Sequence, residues 1–545
     1  MTSPADDQSE LVLGAATEPP PLAGPVKTAS SGRSAAFVTA GIILSKLAGL
    51  ARQRLVAHYF GISLDADMIA AAFRVGNILQ NLLGEGTLSA SFIPIYARLR
   101  AEGKAREATH FALAALGLLL VVVTAGVSAG VLFARPLTAL IAAGFDPSAL
   151  DGTARLVRVL FPMTGLLVLS AWGLGVLNAH RHFFLPYAAP VAWSLAQIGG
   201  LVLFGTFLGQ RGPDLAEALA LSAVVGAALQ LVVLLPTARA LLGGLTPRLD
   251  RDDVHVREAA RRLPAALLGR GVIQISGLVD TALVSFLGAG AVAAFTNAQV
   301  VYLLPMSLLG TGEAAVALPE LASEAAAGDR ALRDQALRRR LGASLARVTV
   351  LTVPVTIAFL FLGRELIALL LQGGSFDAAA TARVEPLLMA YGMALLGNAA
   401  GRVLTTMAYA IGDTATPARY AVVRVLASTI VSLALMQVLG VIGVVIGAVT
   451  AAWVETFALG YKLRGQLGGG LGLEAVPLGR ALLLGAIAVA PAALARAALP
   501  SAFAASRLGA LVILSVFGAA FSVAAPALGL FDVRALLLRR LGPRR

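Results

Sequence analysis

About fourteen apolar runs of membrane-spanning length follow one another along the chain, near residues 35–59, 67–96, 109–133, 154–178, 184–208, 215–241, 263–288, 292–320, 343–363, 385–411, 417–439, 441–463, 477–499 and 507–530. A bilayer core takes about 20 predominantly apolar residues per helix. The pattern therefore predicts an all-α polytopic membrane protein of about 14 transmembrane helices. One run breaks the pattern on a single face. Between Ala70 and Tyr96, the residues Arg74, Asn77, Asn81 and Glu85 recur at helical spacing, and Ser89 continues the stripe. Such a face is costly in lipid unless it lines a water-filled cavity or meets other helices. It reads either as a transport surface or as polar glue between helices.

Other runs carry the same anomaly. In the first, Lys46, Gly49 and Gln53 share a face, with Arg52 and Arg54 beside them; Arg52 either faces a cavity or snorkels to an interface. Asp67 stands at the opening of the second. In the seventh, Arg270 and Asp280 flank Gln274 but lie about 80° from alignment, so their spacing does not require a direct pair. Glu313, Glu385, Arg402, Arg424 and Glu455 complete the set of charges in or near the apolar runs. Cations around a cavity suit an anionic, phosphate-bearing substrate. Acids beside hydroxyls suit a coupling proton or Na⁺.

Composition narrows the class. Hydrophobic residues make up 58% and charged residues 13%, and the mean hydropathy is +0.83; soluble domains carry roughly a quarter charged residues. The net charge of +13 does not point to nucleic acid, because the basic residues sit in short loops between apolar runs. Arg98, Arg100, Lys104 and Arg106, then Arg248 to Arg262, then Arg330 to Arg340, fall on one side. Loops such as Gly61–Ala66 and Gly288–Gly290, on the other, are nearly free of them. This asymmetry places both termini in the cytoplasm. With 0 cysteines, disulfides and thiolate metal sites are excluded, and 5 histidines, three scattered singly and two in the His180-Arg181-His182 loop, argue against a metal centre. There is no phosphate-binding loop, nucleophile elbow or metalloprotease helix, so an enzyme and direct ATP use are not expected, and no cofactor is implied.

An internal repeat organises the helices. Gly84–Gly103 resembles Gly310–Gly328, with Pro94 matching Pro319 at an offset of 225; the segment ending at Pro186 resembles the one ending at Pro417 at an offset of 231. Two units of six helices, in the same orientation, predict two lobes related by a pseudo-two-fold along the membrane normal. The chain then divides into a disordered tail (1–34), an N-lobe (35–241), a C-lobe (263–463), a final helix pair (477–530) and a basic tail (531–545). That is the layout of a transporter that rocks two lobes about a central cavity.

Ser45–Leu99 resembles the N-terminal signature of the MurJ/MviN family of lipid II flippases, within the superfamily that also holds MATE exporters. The matching residues are Gly49, Arg52, Phe60-Gly61, Asp67, Ala72-Phe73, Asn77, Glu85-Gly86, Phe92 and Pro94. Tyr409–Val423 matches a second family segment. The resemblance implies a flippase in the bacterial cytoplasmic membrane. Its N-lobe cavity would take the pyrophosphate and sugars of an undecaprenyl-pyrophosphate-linked precursor (lipid II), and the final helix pair would form a groove for the lipid tail. Membrane lipids and cell-wall synthesis proteins are the implied surroundings. Lys46, Arg52, Asp67, Arg74, Asn77, Asn81, Glu85 and Arg270 are the expected substrate-binding set. Asp280, with Ser428, Ser432 and Thr450 as oxygen partners, is the candidate ion site for Na⁺ or proton coupling; the alternative is a plain salt bridge from Asp280 to Arg424 or Arg270. Three positions depart from the family pattern: Gln53 replaces an Asp, and Gln80 and Val300 replace arginines. Arg74 and Arg270 are expected to supply the missing charge around the cavity, with Glu85 as counter-charge. The competing readings are a flippase for another polyprenyl-linked glycan, a cation-coupled MATE-like exporter, and a non-transporting membrane scaffold that lost the cation cluster.

Overall fold

The computed structural model describes residues 31–84, 88, 91–182, 184–306, 330–473 and 476–530. These form α1 (Ser31–Phe60), α2 (Leu64–Leu83), α3 (Ile93–Ala101), α4 (Ala105–Leu132), α5 (Ala134–Ile141), α6 (Pro147–Ala179), α7 (Phe184–Gly200), α8 (Gly212–Leu242) and α9 (Val254–Ser285). There follow α10 (Ala291–Met306), α11 (Arg330–Leu370), α12 (Ala378–Ala410), α13 (Ala415–Leu439), α14 (Val441–Gln466), α15 (Leu478–Ala498), α16 (Ser501–Ala504) and α17 (Arg507–Ala527). No β-strand occurs among the described residues. Ten helices there are long and apolar enough to cross a membrane. The other four apolar runs coincide with α1, α2, α9 and α10. Three of these, α1, α2 and α9, carry Lys46, Arg52, Asp67, Arg74, Arg270 and Asp280.

Helix boundaries follow local chemistry. Ser63 caps α2 by accepting from the Ala66 N–H, and Asp146, Asp253, Asp377 and Ser506 cap α6, α9, α12 and α17 in the same way. The continuous run read as 67–96 is broken at Gly84. α2 stops at Leu83, where the Gly84 N–H closes on the Gln80 carbonyl at 2.7 Å, and α3 begins at Ile93 with Pro94 in its first turn. Proline is tolerated there because a first-turn N–H has no helical partner. Glu85 and Ser89, which would extend the polar stripe, lie outside the described residues. So do the tails 1–30 and 531–545, although α1 already starts at Ser31.

The packing repeats along the chain. In the first half α1 packs on α7, α2 and α4 on α6, and α8 on both α6 and α7. In the second half α9 packs on α13, α11 on α12, and α14 on both α12 and α13. The counterpart of α2 on α6 is α10 on α12, where Tyr302 stacks on Tyr391 with ring centroids 4.9 Å apart and accepts from Asn398 at 2.8 Å. The last helices, α15 and α17, pack on each other and on α11, around Leu362, Val489, Ala492 and Ile513.

The halves meet at the end of the bundle where loops carry few basic residues. The Ser375 N–H donates to the His58 carbonyl (2.8 Å), and Gly144 N–H to Ser285 Oγ (2.9 Å). Gly61 makes this approach possible. Its φ of +58° is left-handed, and a Cβ there would run into the Ser375 carbonyl. Apolar packing crosses the same seam, with Ala57 of α1 in the second half's core and Ala293 of α10 in the first half's.

Candidate functional site

A ladder of polar contacts runs down the seam between the halves. At its closed end Asp67, 0% exposed, reaches the start of α10: its Oδ2 accepts from the Gly290 N–H at 2.6 Å and its Oδ1 from the Ala293 N–H at 2.7 Å. A carboxylate at these otherwise unpaired N–H groups is stabilised by hydrogen bonds and by the helix dipole. Gln53 of α1 donates to Asn297 Oδ1 of α10 at 3.0 Å. Arg74 donates through Nε to Thr281 Oγ1 (3.1 Å) and through Nη2 to Gln299 Oε1 (3.2 Å), on α9 and α10 respectively. Asn81 donates to Gln274 Oε1 on α9 at 3.0 Å. Every rung joins residues about 200 positions apart.

Below Gln53 the α1 face opens. Lys46, two turns away on the same face, is exposed, and a Cβ added at Gly49 would meet nothing within 4 Å. Arg52 points away from the ladder, toward α7, where it meets Gln197 at 3.3 Å and the Trp193 ring at 4.8 Å. Asn77 Oδ1 is buried with no hydrogen-bond partner among the described residues. Of the predicted substrate set, Asp67, Arg74 and Asn81 therefore make interlobe contacts, Lys46 is exposed, and Arg52 shares no partner with Arg74. Glu85 and the side chain of Arg270 lie outside the described residues.

In the second half Asp280, 7% exposed, is buried beside Ser428, with Arg74 and Arg424 as its charged neighbours. Arg424 pairs with Glu455 at 2.7 Å rather than with Asp280. Among the described residues Asp280 Oδ1 and Ser428 Oγ are buried with no other partner than each other's side chain. Ser432 instead donates to the Val444 carbonyl (3.3 Å), and Thr450, half-buried on α14, hydrogen-bonds to neither serine. Asp280 and Ser428 thus come together; the other two proposed oxygen partners do not join them by hydrogen bonds.

Sequence reasoning missed Trp193, Gln197, Asn297, Gln299 and Thr281. Buried amides in apolar helices were the available signal for Gln197 and Asn297, which are 0% and 4% exposed. Away from the seam, His110, Asp250 and Asp253 bring metal-type donor atoms within 4.8 Å of one another. His110 there is already satisfied: Nδ1 accepts from Arg248 at 3.0 Å and Nε2 donates to Asp250 at 2.9 Å. The His110 bond holds the Asp250 carboxyl below its usual range. This cluster ties the loop before α9 to α4.

The chain resembles known proteins over nearly its full length. The family model for lipid II flippase MurJ matches residues 56–517. A probable lipid II flippase MurJ from Rhizobium tropici is 31% identical over 442 residues, covering 79% of this chain and 81% of that protein. The lipid II flippase MurJ of Burkholderia cenocepacia is 29% identical, covering 79% and 83%. Among solved structures, a lipid II flippase MurJ in an inward closed conformation superposes with a TM-score of 0.74 at 19% identity, covering 93% of this chain and 99% of that one. An inward-facing multidrug resistance MATE transporter of the MOP superfamily shares the fold, with a TM-score of 0.63 at 17% identity and coverage of 80% and 98%. Helical architecture, repeated packing and sequence relatives agree: the chain belongs to the lipid II flippase MurJ family.

Proposed function

We propose that this protein moves lipid II from the cytoplasmic to the outer leaflet of the bacterial cytoplasmic membrane by alternating access, with both termini in the cytoplasm. The observation that carries the reading is the polar ladder between two similarly packed halves of a MurJ-family chain. It holds one end of the seam shut, while Lys46 is exposed toward the other. The pyrophosphate of an undecaprenyl-linked precursor is the ligand such a cavity suits, through Lys46 and Arg52. In this reading α15 and α17 form the groove for the lipid tail. No nucleotide loop is present in the sequence, so the driving force in this reading is a Na⁺ or proton gradient, the membrane potential or downstream consumption of the product; 100 mV supplies roughly 2.3 kcal/mol per charge moved.

Replacement of an essential native flippase by this chain tests the proposal. Growth on depletion of the native protein supports it, whereas lysis despite normal expression would favour another polyprenyl-linked glycan or a MATE-like export substrate. Reporter fusions after Gly103 and Gly243 should read cytoplasmic, and one after Gly61 the opposite side.

A further inference from the structure

We infer that Trp193 and Gln197 are positioning residues that hold the Arg52 guanidinium ready for a substrate phosphate. This rests on the flippase reading and adds two residues to it. Trp193 and Gln197 are four apart on α7, so they present one face, and that face packs against α1. Gln197 is fully buried in a helix whose neighbours are almost all apolar. Its Nε2 donates to the Trp193 carbonyl one turn back, at 3.2 Å, which fixes the amide and leaves Oε1 to accept from Arg52 Nη1 at 3.3 Å. The Trp193 ring lies 4.8 Å from the guanidinium carbon, the geometry of a cation–π contact. One nitrogen and one face of the guanidinium are thereby fixed by the protein.

What is left over points to the ligand. Gln197 takes Nη1, which leaves the edge formed by Nε and Nη2 on the other side of the guanidinium. Among the described residues the buried Arg52 Nε has no hydrogen-bond partner, and neither has Trp193 Nε1. Among the described residues no carboxylate pairs with Arg52. A half-buried cation with a neutral clamp and unsatisfied N–H groups is costly as it stands. An anion relieves both costs, and the Nε/Nη2 edge is the side of a guanidinium that takes two oxygens of one phosphate at once. A carboxylate at position 197 would fill the site; an amide orients Arg52 without competing for it.

The test uses the full-length protein in proteoliposomes, with lipid II as transport substrate and undecaprenyl pyrophosphate as binding probe. Trp193→Phe keeps a ring face and should stay within about twofold of wild-type apparent affinity, whereas Trp193→Leu should weaken it about five- to tenfold at similar maximal rate. Gln197→Leu should behave like Trp193→Leu. Gln197→Glu should weaken binding further, because its charge occupies Arg52. In an Arg52→Gln background, Trp193→Leu should add nothing, the signature of action through Arg52. Thermal melting of every variant checks folding. The proposal is overturned if Trp193→Phe and Trp193→Leu are equally impaired, if Trp193→Leu matches wild type, or if its effect persists without Arg52. If the wild type moves no lipid II yet binds the probe in a Trp193- and Arg52-dependent manner, the flippase reading fails and the phosphate clamp stands.

Discussion

Arg74 donates to Gln299 at 3.2 Å across the seam, and the two residues are separated by 225 positions, the offset that relates Pro94 to Pro319. They are equivalent positions of the duplicated unit. Under a two-fold rotation only residues beside the axis touch their own counterparts. The pseudo-axis therefore passes between α2 and α10 near this pair. Asp67 meets the start of α10 close to the same line, because both helices begin at the same end of the bundle.

Locking the ladder should stop transport. The chain has 0 native cysteines, so Gln53→Cys with Asn297→Cys provides a clean pair where the wild-type side chains already bond at 3.0 Å. Cross-linking this pair should reduce lipid II flipping in proteoliposomes to background, and reductant should restore it. Undiminished flipping by the fully cross-linked protein would show that the seam need not open at α1 and α10.

Asp67 should matter for the balance of conformations as well as for stability. Asp67→Ala leaves the Gly290 and Ala293 N–H groups without their acceptor and should cost about 1–3 kcal/mol of the seam-closed state. Asp67→Asn, which retains one acceptor oxygen, should cost less. Distance measurements between spin labels on α2 and α10 should show the closed population falling in that order, Asn before Ala.

Asp280 is the candidate for ion coupling, since it is buried beside Ser428 while Arg424 is engaged by Glu455. Asp280→Asn should abolish the dependence of flipping on an imposed Na⁺, proton or potential gradient while the protein still folds. Wild-type flipping with the same gradient dependence would remove it from that role.

A pH effect is expected at the loop after α6. His180, hydrogen-bonded to the Tyr96 hydroxyl at 2.9 Å, is lowered from the usual 6.5 to about 4 by burial, helped by the charges of Arg100 and His182. Because the folded-state value is depressed, the unfolded chain binds the proton first. The contribution of neutral His180 is therefore complete above pH 6.5 and declines as pH falls toward 4. Melting temperatures of the wild type should drop between pH 7 and pH 5 more steeply than those of His180→Gln. Parallel curves would place the acid sensitivity elsewhere.

Sequence alone was enough for the helical membrane architecture, the duplication and the family, because each rests on information carried locally. Spans are set by runs of apolar residues, helix starts by caps such as Ser63 and Asp253, and the family by matching residues around Arg52, Asp67 and Asn77. It also singled out Asp67, Arg74 and Asn81 as costly at membrane depth, and all three have polar partners across the seam. Which groups those partners are was decided only in the tertiary structure. Arg52 and Arg74, read together as lining one cavity, diverge to Gln197 in their own lobe and to Gln299 in the other. The single run 67–96 breaks at Gly84, and Ser432 turns to the Val444 carbonyl instead of to Asp280. The physical reason is distance along the chain. Periodicity places a side chain on a face of its own helix, but what that face meets depends on helices about 140 to 240 positions away, whose packing no local spacing encodes.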